Sequence, residues 1–402
     1  MLEKNIFVNF KRIFLFLLIT FFIYYLFESL LIYKFFVLPV VIKNQANIFI
    51  DWNAITSAID CSKKGFDVFI ENPCDVIGRR YVYGSILLNI PLSNNYFFFN
   101  NFLLPILINL TLILFVTFFF RFEKKNEYFL WFLLIINPST LLIIERANVD
   151  LIILLLLVLA CYIWKDIIKI PVILAVSYIK FYPLICSLIY FFEEKISKKN
   201  IYKFILLFFF VSIGLFLDLN NIIKIVQNQE QFTAGYKYSF SFSSLSLVPQ
   251  FQNYFNQKIL LIFTVILFLI FYYINFAQLK KVLLNFTPDS FEKRLFLIGS
   301  LILVSTFFIF KNIYYREIFI VLIIPYIIRS NENYHKFLIN FLILKYIIFI
   351  LAIYFSFFSF KYQNDILLII KFFLDLFLIS FLLSALMKIF FFKINIKVAI
   401  NN

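Results

Sequence analysis

Four stretches of this chain gather residue types that can do chemistry. The first is a polar loop, residues 42–95, containing IFIDWNAITSAIDCSKKGFDVFIENPCDVIGRRYVYG. Between 42 and 83 it carries Asp51, Asp60, Asp67, Glu71 and Asp75 against Lys43, Lys63, Lys64, Arg79 and Arg80, so its charges cancel. The second is Glu145-Arg146-Ala147-Asn148-Val149-Asp150, which follows Asn137-Pro138-Ser139-Thr140 in an otherwise apolar region. The third is Lys180-Phe181-Tyr182-Pro183, and the fourth is Lys311 to Glu317, which includes Arg316. Polar groups near lipid are expensive unless they pair or line a cavity, so each stretch is a candidate site. Each also has a plain structural account. Asp51 can cap the helix that Ala54, Ile55, Ala58 and Ile59 announce by their spacing. Arg146 can pair with Glu145 or Asp150 and lock a turn, and Lys180 can snorkel outward rather than face a phosphate near the outer leaflet. Lys371 and Asp375, four apart, read as a structural helix pair.

The elements that must hold these residues are membrane helices. Hydrophobic residues make up 63 % of the 402-residue chain, aromatic residues 22 %, and charged residues only 15 %. Mean hydropathy is +0.94. A soluble globule, at roughly 45–50 % apolar, cannot hide such a surface, which excludes a cytosolic enzyme, a secreted domain and a disordered chain. Six Gly and a single His leave no room for Gly-rich nucleotide loops, a Ser-His-Asp triad or a His-based zinc site; His335 reads as a solvated loop residue. The net charge of +15 does not call for nucleic acid, because 29 of the 37 basic residues are lysines in short gaps between apolar runs.

The expected fold is all-α, a polytopic transmembrane helical bundle of about 10–12 spans, since only helices of about 20 residues satisfy their backbone in lipid. The first span is Ile13 to Tyr33, preceded by Lys4, Lys11 and Arg12, with no signal-peptide cleavage site after it. Later apolar runs follow to residue 387, and Pro183 splits residues 170–192 into two short half-spans. An interfacial helix is expected behind Asp51. With both termini inside, the expected inner segments hold 21 Lys and Arg in 75 residues, and the outer ones 13 in 114. That asymmetry predicts a multi-pass protein of the cytoplasmic (inner) membrane with loops 42–95 and 220–258 outside. Two modules are expected, 1–219 carrying the polar stretches and 220–402 closing the bundle. No fixed-period repeat is present. Cys161 and Cys186 fall in spans as packing residues. Cys61 and Cys74, thirteen apart in an outer loop, are free to pair, which would stabilise the loop by about 3 kcal/mol.

The run NPST-LLIIERANVDLIILLLL resembles the "NP…ERGN-x-D" segment of the GT-C superfamily of membrane glycosyltransferases, and most of all its polyprenol-phosphate-mannose-dependent mannosyltransferases. AVSYIKFYPLICSLIYFF resembles that family's "K-x-YP" segment. Asp51 followed by Gly65 to Tyr83 is similar to its early acidic residue and "G-x-D-V-[YF]…Y" loop. The resemblance covers residues 45–192. Ala147 stands where the family carries Gly, and Tyr83-Gly84 where it carries Tyr-Pro.

The resemblance implies a GT-C-like fold with short broken helices. It also implies inverting transfer of a sugar from a polyprenyl-phosphate donor to a glycan or lipid-linked acceptor, at the outer face of the bilayer. Asp51 would then be the catalytic base for the acceptor hydroxyl. Arg79, Arg80, Arg146, Lys180 and Arg316 would hold the donor phosphate, and Glu145, Asn148 and Asp150 would orient Arg146 or bind sugar hydroxyls. The outer loops hold no D-x-D or E-x-E pair, so no cofactor is expected and a divalent metal is disfavoured, although one carboxylate together with the phosphate could still hold Mg²⁺; no nucleic-acid partner is expected. A polysaccharide transporter or polymerase is the alternative. A transporter would show paired broken helices in both halves, and a polymerase a late Arg-rich outer loop, whereas 220–258 contains no Arg. A structural or assembly protein without chemistry would leave the 145–150 cluster unexplained.

Overall fold

The computed structural model describes residues 48–92, 99–119, 124–192, 198–231, 239–244, 256–279, 289–309, 312–329, 333–357 and 361–401, together with Thr20. The expected first span, apart from Thr20, and residues 232–238 and 245–255 of loop 220–258 lie outside them. Thirteen α-helices carry the fold among the described residues: α1 Ile50–Lys63, α2 Leu104–Phe119, α3 Lys125–Ile136, α4 Pro138–Arg146, α5 Asp150–Ile163, α6 Asp166–Ile179, α7 Lys198–Leu217, α8 Leu219–Gln231, α9 Gln257–Gln278, α10 Phe291–Phe308, α11 Ile320–Arg329, α12 Asn333–Phe357 and α13 Lys361–Asn401. Short 3-10 turns cover Ser85–Asn89, Tyr182–Phe191 and Tyr314–Phe319, and one π-turn covers Phe99–Leu103. Among the described residues, the strands are a two-residue antiparallel pair, β1 Ser239–Phe240 and β2 Asn312–Ile313, registered Ser239 to Ile313 and Phe240 to Asn312.

Five described helices are long and apolar enough to cross a membrane: Phe99–Thr117, Lys198–Leu217, Gln257–Gln278, Lys336–Phe355 and Asp365–Phe391. The bent pair α3 and α4 makes a sixth when taken as one span. The figure falls below the 10–12 expected for identifiable reasons. The first expected span, apart from Thr20, is outside the described residues, and α5 has only 14 residues and α11 only ten. Helix α10 carries Glu292, Lys293 and Arg294 in its first turn.

The breaks around the polar stretches follow from the sequence. Pro138 excludes helical geometry from the residue before it, and Asn137 is extended, at φ −68° and ψ 154°. Its side chain then caps α4 by accepting from the Thr140 amide at 3.1 Å, with Pro138 in the first turn. The two helices meet at 42°. At its far end α4 closes in a Schellman motif: the Asn148 amide donates to the Ile143 carbonyl and the Ala147 amide to that of Ile144, both at 3.2 Å. Ala147 is left-handed, at φ 46° and ψ 50°. This is the position where the resembled family has glycine, the residue best suited to that conformation. The chain then turns into α5 through Val149, and Asn148, just before it, accepts from the Asp150 amide through its side chain at 3.0 Å.

Candidate functional site

Helix α1 forms behind Asp51 as its spacing predicts, but Asp51 does not cap it. The capping position is Phe49, left-handed and without a side-chain cap bond. The Phe49 amide instead donates to the Glu145 carbonyl at 2.8 Å, which fixes the start of α1 to the end of α4. Trp52 donates to the Asn100 carbonyl at 2.6 Å, and Thr56 donates to the Asn101 side chain at 2.6 Å. Asp51 is thereby delivered to Arg146, 95 residues away in sequence.

Asp51 is held by three donors. Its Oδ1 accepts from Arg79 Nη1 at 3.1 Å and from Arg146 Nη1 at 3.2 Å, and its Oδ2 from Asn148 Nδ2 at 2.7 Å. A carboxylate has about four lone-pair sites, so one remains on Oδ2. Arg79 is itself gripped from behind: it donates to Asp75 through Nε at 3.1 Å and Nη2 at 3.0 Å, and also to the Ile50 carbonyl. Burial works against the Arg79 charge, but the bond to Asp75 and the charge of Asp51 outweigh it and raise its pKa above the ordinary value. Arg80 is exposed, so of the adjacent pair it is Arg79 that enters the cluster. Cys61 and Cys74 are disulfide-bonded, with Cα atoms 5.7 Å apart, and the closed loop carries Asp75 and Arg79 toward α1.

A second carboxylate, Asp150, is completely buried. It accepts from Lys180 Nζ at 2.6 Å and from the Tyr182 hydroxyl at 2.9 Å, and Arg316 Nε stands 3.8 Å from its other oxygen. Asn148 joins the two carboxylates: its amide nitrogen donates to Asp51 while its carbonyl accepts from Lys180 at 3.2 Å. Lys180 is extended, immediately after α6 ends at Ile179. Its ammonium lies 5.1 Å from the ring of Tyr83 and 5.8 Å from that of Tyr315, and the Arg316 guanidinium lies 4.7 Å from the Tyr182 ring. Gly84 makes the Tyr83 contact possible. Its amide donates to the Ile179 carbonyl at 3.1 Å, and an added Cβ would fall 1.7 Å from the Tyr178 carbonyl oxygen. Burial, reinforced by the charge of Asp51, holds the Tyr83 phenol well above its usual pKa, so that group stays neutral.

The structure thus gathers Asp51, Arg79, Arg146, Asn148, Asp150, Lys180 and Arg316 into one connected cluster. Glu145 is buried beside Arg146, whose charge it supports. With Asp75 included, four cations face four carboxylates, a balance that makes the burial tolerable. Two cations keep capacity in reserve: Arg316 through Nε, which has no hydrogen bond, and Arg146 more fully. Arg146 is 5 % exposed, yet its Nε and Nη2 have no hydrogen-bond partner. Those two atoms form the edge of a guanidinium that receives an oxyanion in bidentate fashion. Residues singled out less readily by sequence are Asp75, Tyr182 and Tyr315. Asp75 was accessible as the acidic residue four before Arg79; the tyrosines had no signal beyond their neighbours Lys180 and Arg316. Among the described residues, no three His, Cys, Asp or Glu side chains gather as a metal site.

No protein-family profile, no curated protein and no solved structure matches this chain.

Proposed function

We propose that the protein is an integral membrane glycosyltransferase, a lipid-phosphate-sugar-dependent hexosyltransferase of GT-C-like architecture. It moves a sugar from a polyprenyl-phosphate donor to a hydroxyl of a glycan or lipid-linked acceptor. The observation that carries this reading is the meeting of Asp51 with Arg146, Lys180 and Arg316 through Asn148 and Asp150. In the reaction the acceptor hydroxyl gives its proton to Asp51 through the unoccupied Oδ2 site and attacks the anomeric carbon. The bond from that carbon to the phosphate oxygen breaks on the opposite face, inverting the configuration. The leaving lipid phosphate gains negative charge, which the unpartnered edge of Arg146, with Lys180 and Arg316, is suited to receive. The bends at Asn137 and Lys180 are read as broken spans that let polar side chains enter at membrane depth.

Two observations support an outer-face site. The disulfide lies in the loop that carries Asp51, and such bonds persist in oxidising compartments. The Lys-rich stretches expected inside meet at the far end of α5, whose 14 residues separate them from Asp150 by about 21 Å. There Lys169 and Lys203 both pair with Asp166, and Arg294 stacks on Trp164 at 4.9 Å. The decisive experiment is to incubate the purified protein in lipid nanodiscs with polyprenyl-phosphate sugars and follow release of the lipid phosphate. Failure to release it from any such donor would remove the proposal.

A further inference from the structure

Adjacent residues of one short turn, Arg316 and Glu317, face different networks. Arg316 reaches Asp150 and Tyr182, and its Nη1 donates to the Asn312 side chain. Glu317 is buried and enters a four-membered ring of charges. Its Oε2 meets Lys345 of α12 and its Oε1 meets Lys371 of α13. The two ammonium groups also contact Asp375, Lys345 at 2.9 Å and Lys371 at 2.7 Å. Tyr314, at the start of the same turn, packs edge-on against Phe349 of α12 at 5.0 Å. Phe349 also lies 4.6 Å beneath Lys371.

Stability alone is a poor account of this ring. Well-packed apolar residues of similar volume often serve as well as buried ion pairs, or better. What the ring adds is direction. Each oxygen of Glu317 has its own lysine on a separate helix, and a two-point grip fixes the plane of a carboxylate as one contact does not. The turn that carries Glu317 is a six-residue 3-10 segment, too short to hold its own shape. We infer that Glu317 is a positioning residue: held by Lys345 and Lys371, it sets the turn that presents Arg316 to Asp150, and so aims a phosphate-binding cation from the C-terminal half of the chain into the candidate site. What Arg316 acts on rests on the proposed glycosyl transfer; the positioning itself does not.

The test has two arms on the full-length protein in nanodiscs. In the first, amide hydrogen exchange is compared between wild type, Glu317→Gln and Glu317→Gln/Lys371→Met. The expected result is about tenfold faster exchange over residues 312–319 in both variants, with 291–308 and 361–391 altered by less than about twofold. If the ring merely balances charge, the double variant, again neutral, returns to wild-type exchange, and the inference is overturned. Unchanged exchange in Glu317→Gln overturns it equally. Should that variant fail to accumulate, Glu317→Asp, which keeps the charge and shortens the reach, is expected to show the same localised increase. The second arm is a double-mutant cycle on donor KM. Glu317→Gln is expected to raise KM about tenfold in the wild-type background and less than about twofold in an Arg316→Ala background. Factors that simply multiply would show that Glu317 does not act through Arg316. A wild-type protein inert toward every polyprenyl-phosphate sugar would remove the glycosyltransferase reading, while the exchange arm would still decide this one.

Discussion

The molecule contains two buried networks of cations and carboxylates, and they differ in how completely they satisfy themselves. In the C-terminal ring, two lysines and two acids touch in a closed circuit of ion pairs, in which Asp375 Oδ1 alone lacks a hydrogen bond and is held by its contact with Lys345. Around Asp51, arginines, an asparagine and tyrosines are mixed with the carboxylates, and the network stops short of closure. Arg146 retains two unpartnered nitrogens and Asp51 one acceptor site. Lysine is a compact point charge that adjacent carboxylates can saturate, whereas the planar guanidinium has five donors in a fixed fork and tends to keep some to spare. A buried network with spare donors is poised for a ligand; a closed one is suited to holding helices.

Four predictions sharpen or break that contrast. The largest effect is expected at Asp51. Asp51→Asn should lower the release of lipid phosphate by about 10²–10⁴-fold, the usual share of general-base catalysis, with the protein still accumulating in the membrane. Activity near wild type would take the base role from Asp51 and make the two networks alike. Next, Lys345→Met should cost about 3–5 kcal/mol in thermal unfolding, because it leaves two buried carboxylates to one lysine, while Lys371→Met/Asp375→Leu, which removes a neutral pair and leaves Lys345 with Glu317, should cost much less. Equal penalties would mean the ring is not a unit. Third, Cys61→Ser should destabilise the loop by about 3 kcal/mol, read as earlier proteolysis between residues 62 and 80, and should weaken donor binding through Arg79. Smallest, Ala147→Gly should raise the unfolding midpoint, by a gain of about 1 kcal/mol, since the left-handed backbone at 147 penalises a Cβ. A loss would mean that Ala147 packing outweighs its strain.

The sequence was informative where a local rule acts. Asn137-Pro138 announced a break, the apolar pairs behind Asp51 announced a helix, and Cys61 and Cys74 were close enough in the chain to pair. The four polar stretches were visible because charge near lipid is conspicuous. The partners were not visible. Arg79 and Arg80 differ locally only in that the first lies four residues after Asp75, and it is the first that turns inward. The Lys371 and Asp375 pair was legible as a helix motif, but Glu317 and Lys345 complete it from other elements, and separations of 28 and 54 residues leave no periodic trace. Asp51 read equally well as a cap until the backbone gave that position to Phe49.

The spacing of partners along the chain also bears on how the protein is made. At about 5–20 residues per second, Arg146 is synthesised roughly 5–19 s after Asp51, its partner 95 positions earlier. An unaccompanied carboxylate survives such a delay only in water, and Asp51 belongs to a connecting segment rather than to the middle of an apolar helix. Glu317 waits for Lys345 over 28 positions, roughly 1–6 s. Each carboxylate thus meets its first cation 28 positions on, Asp51 in Arg79 and Glu317 in Lys345, and waits longer for the second, 95 positions for Arg146 and 54 for Lys371.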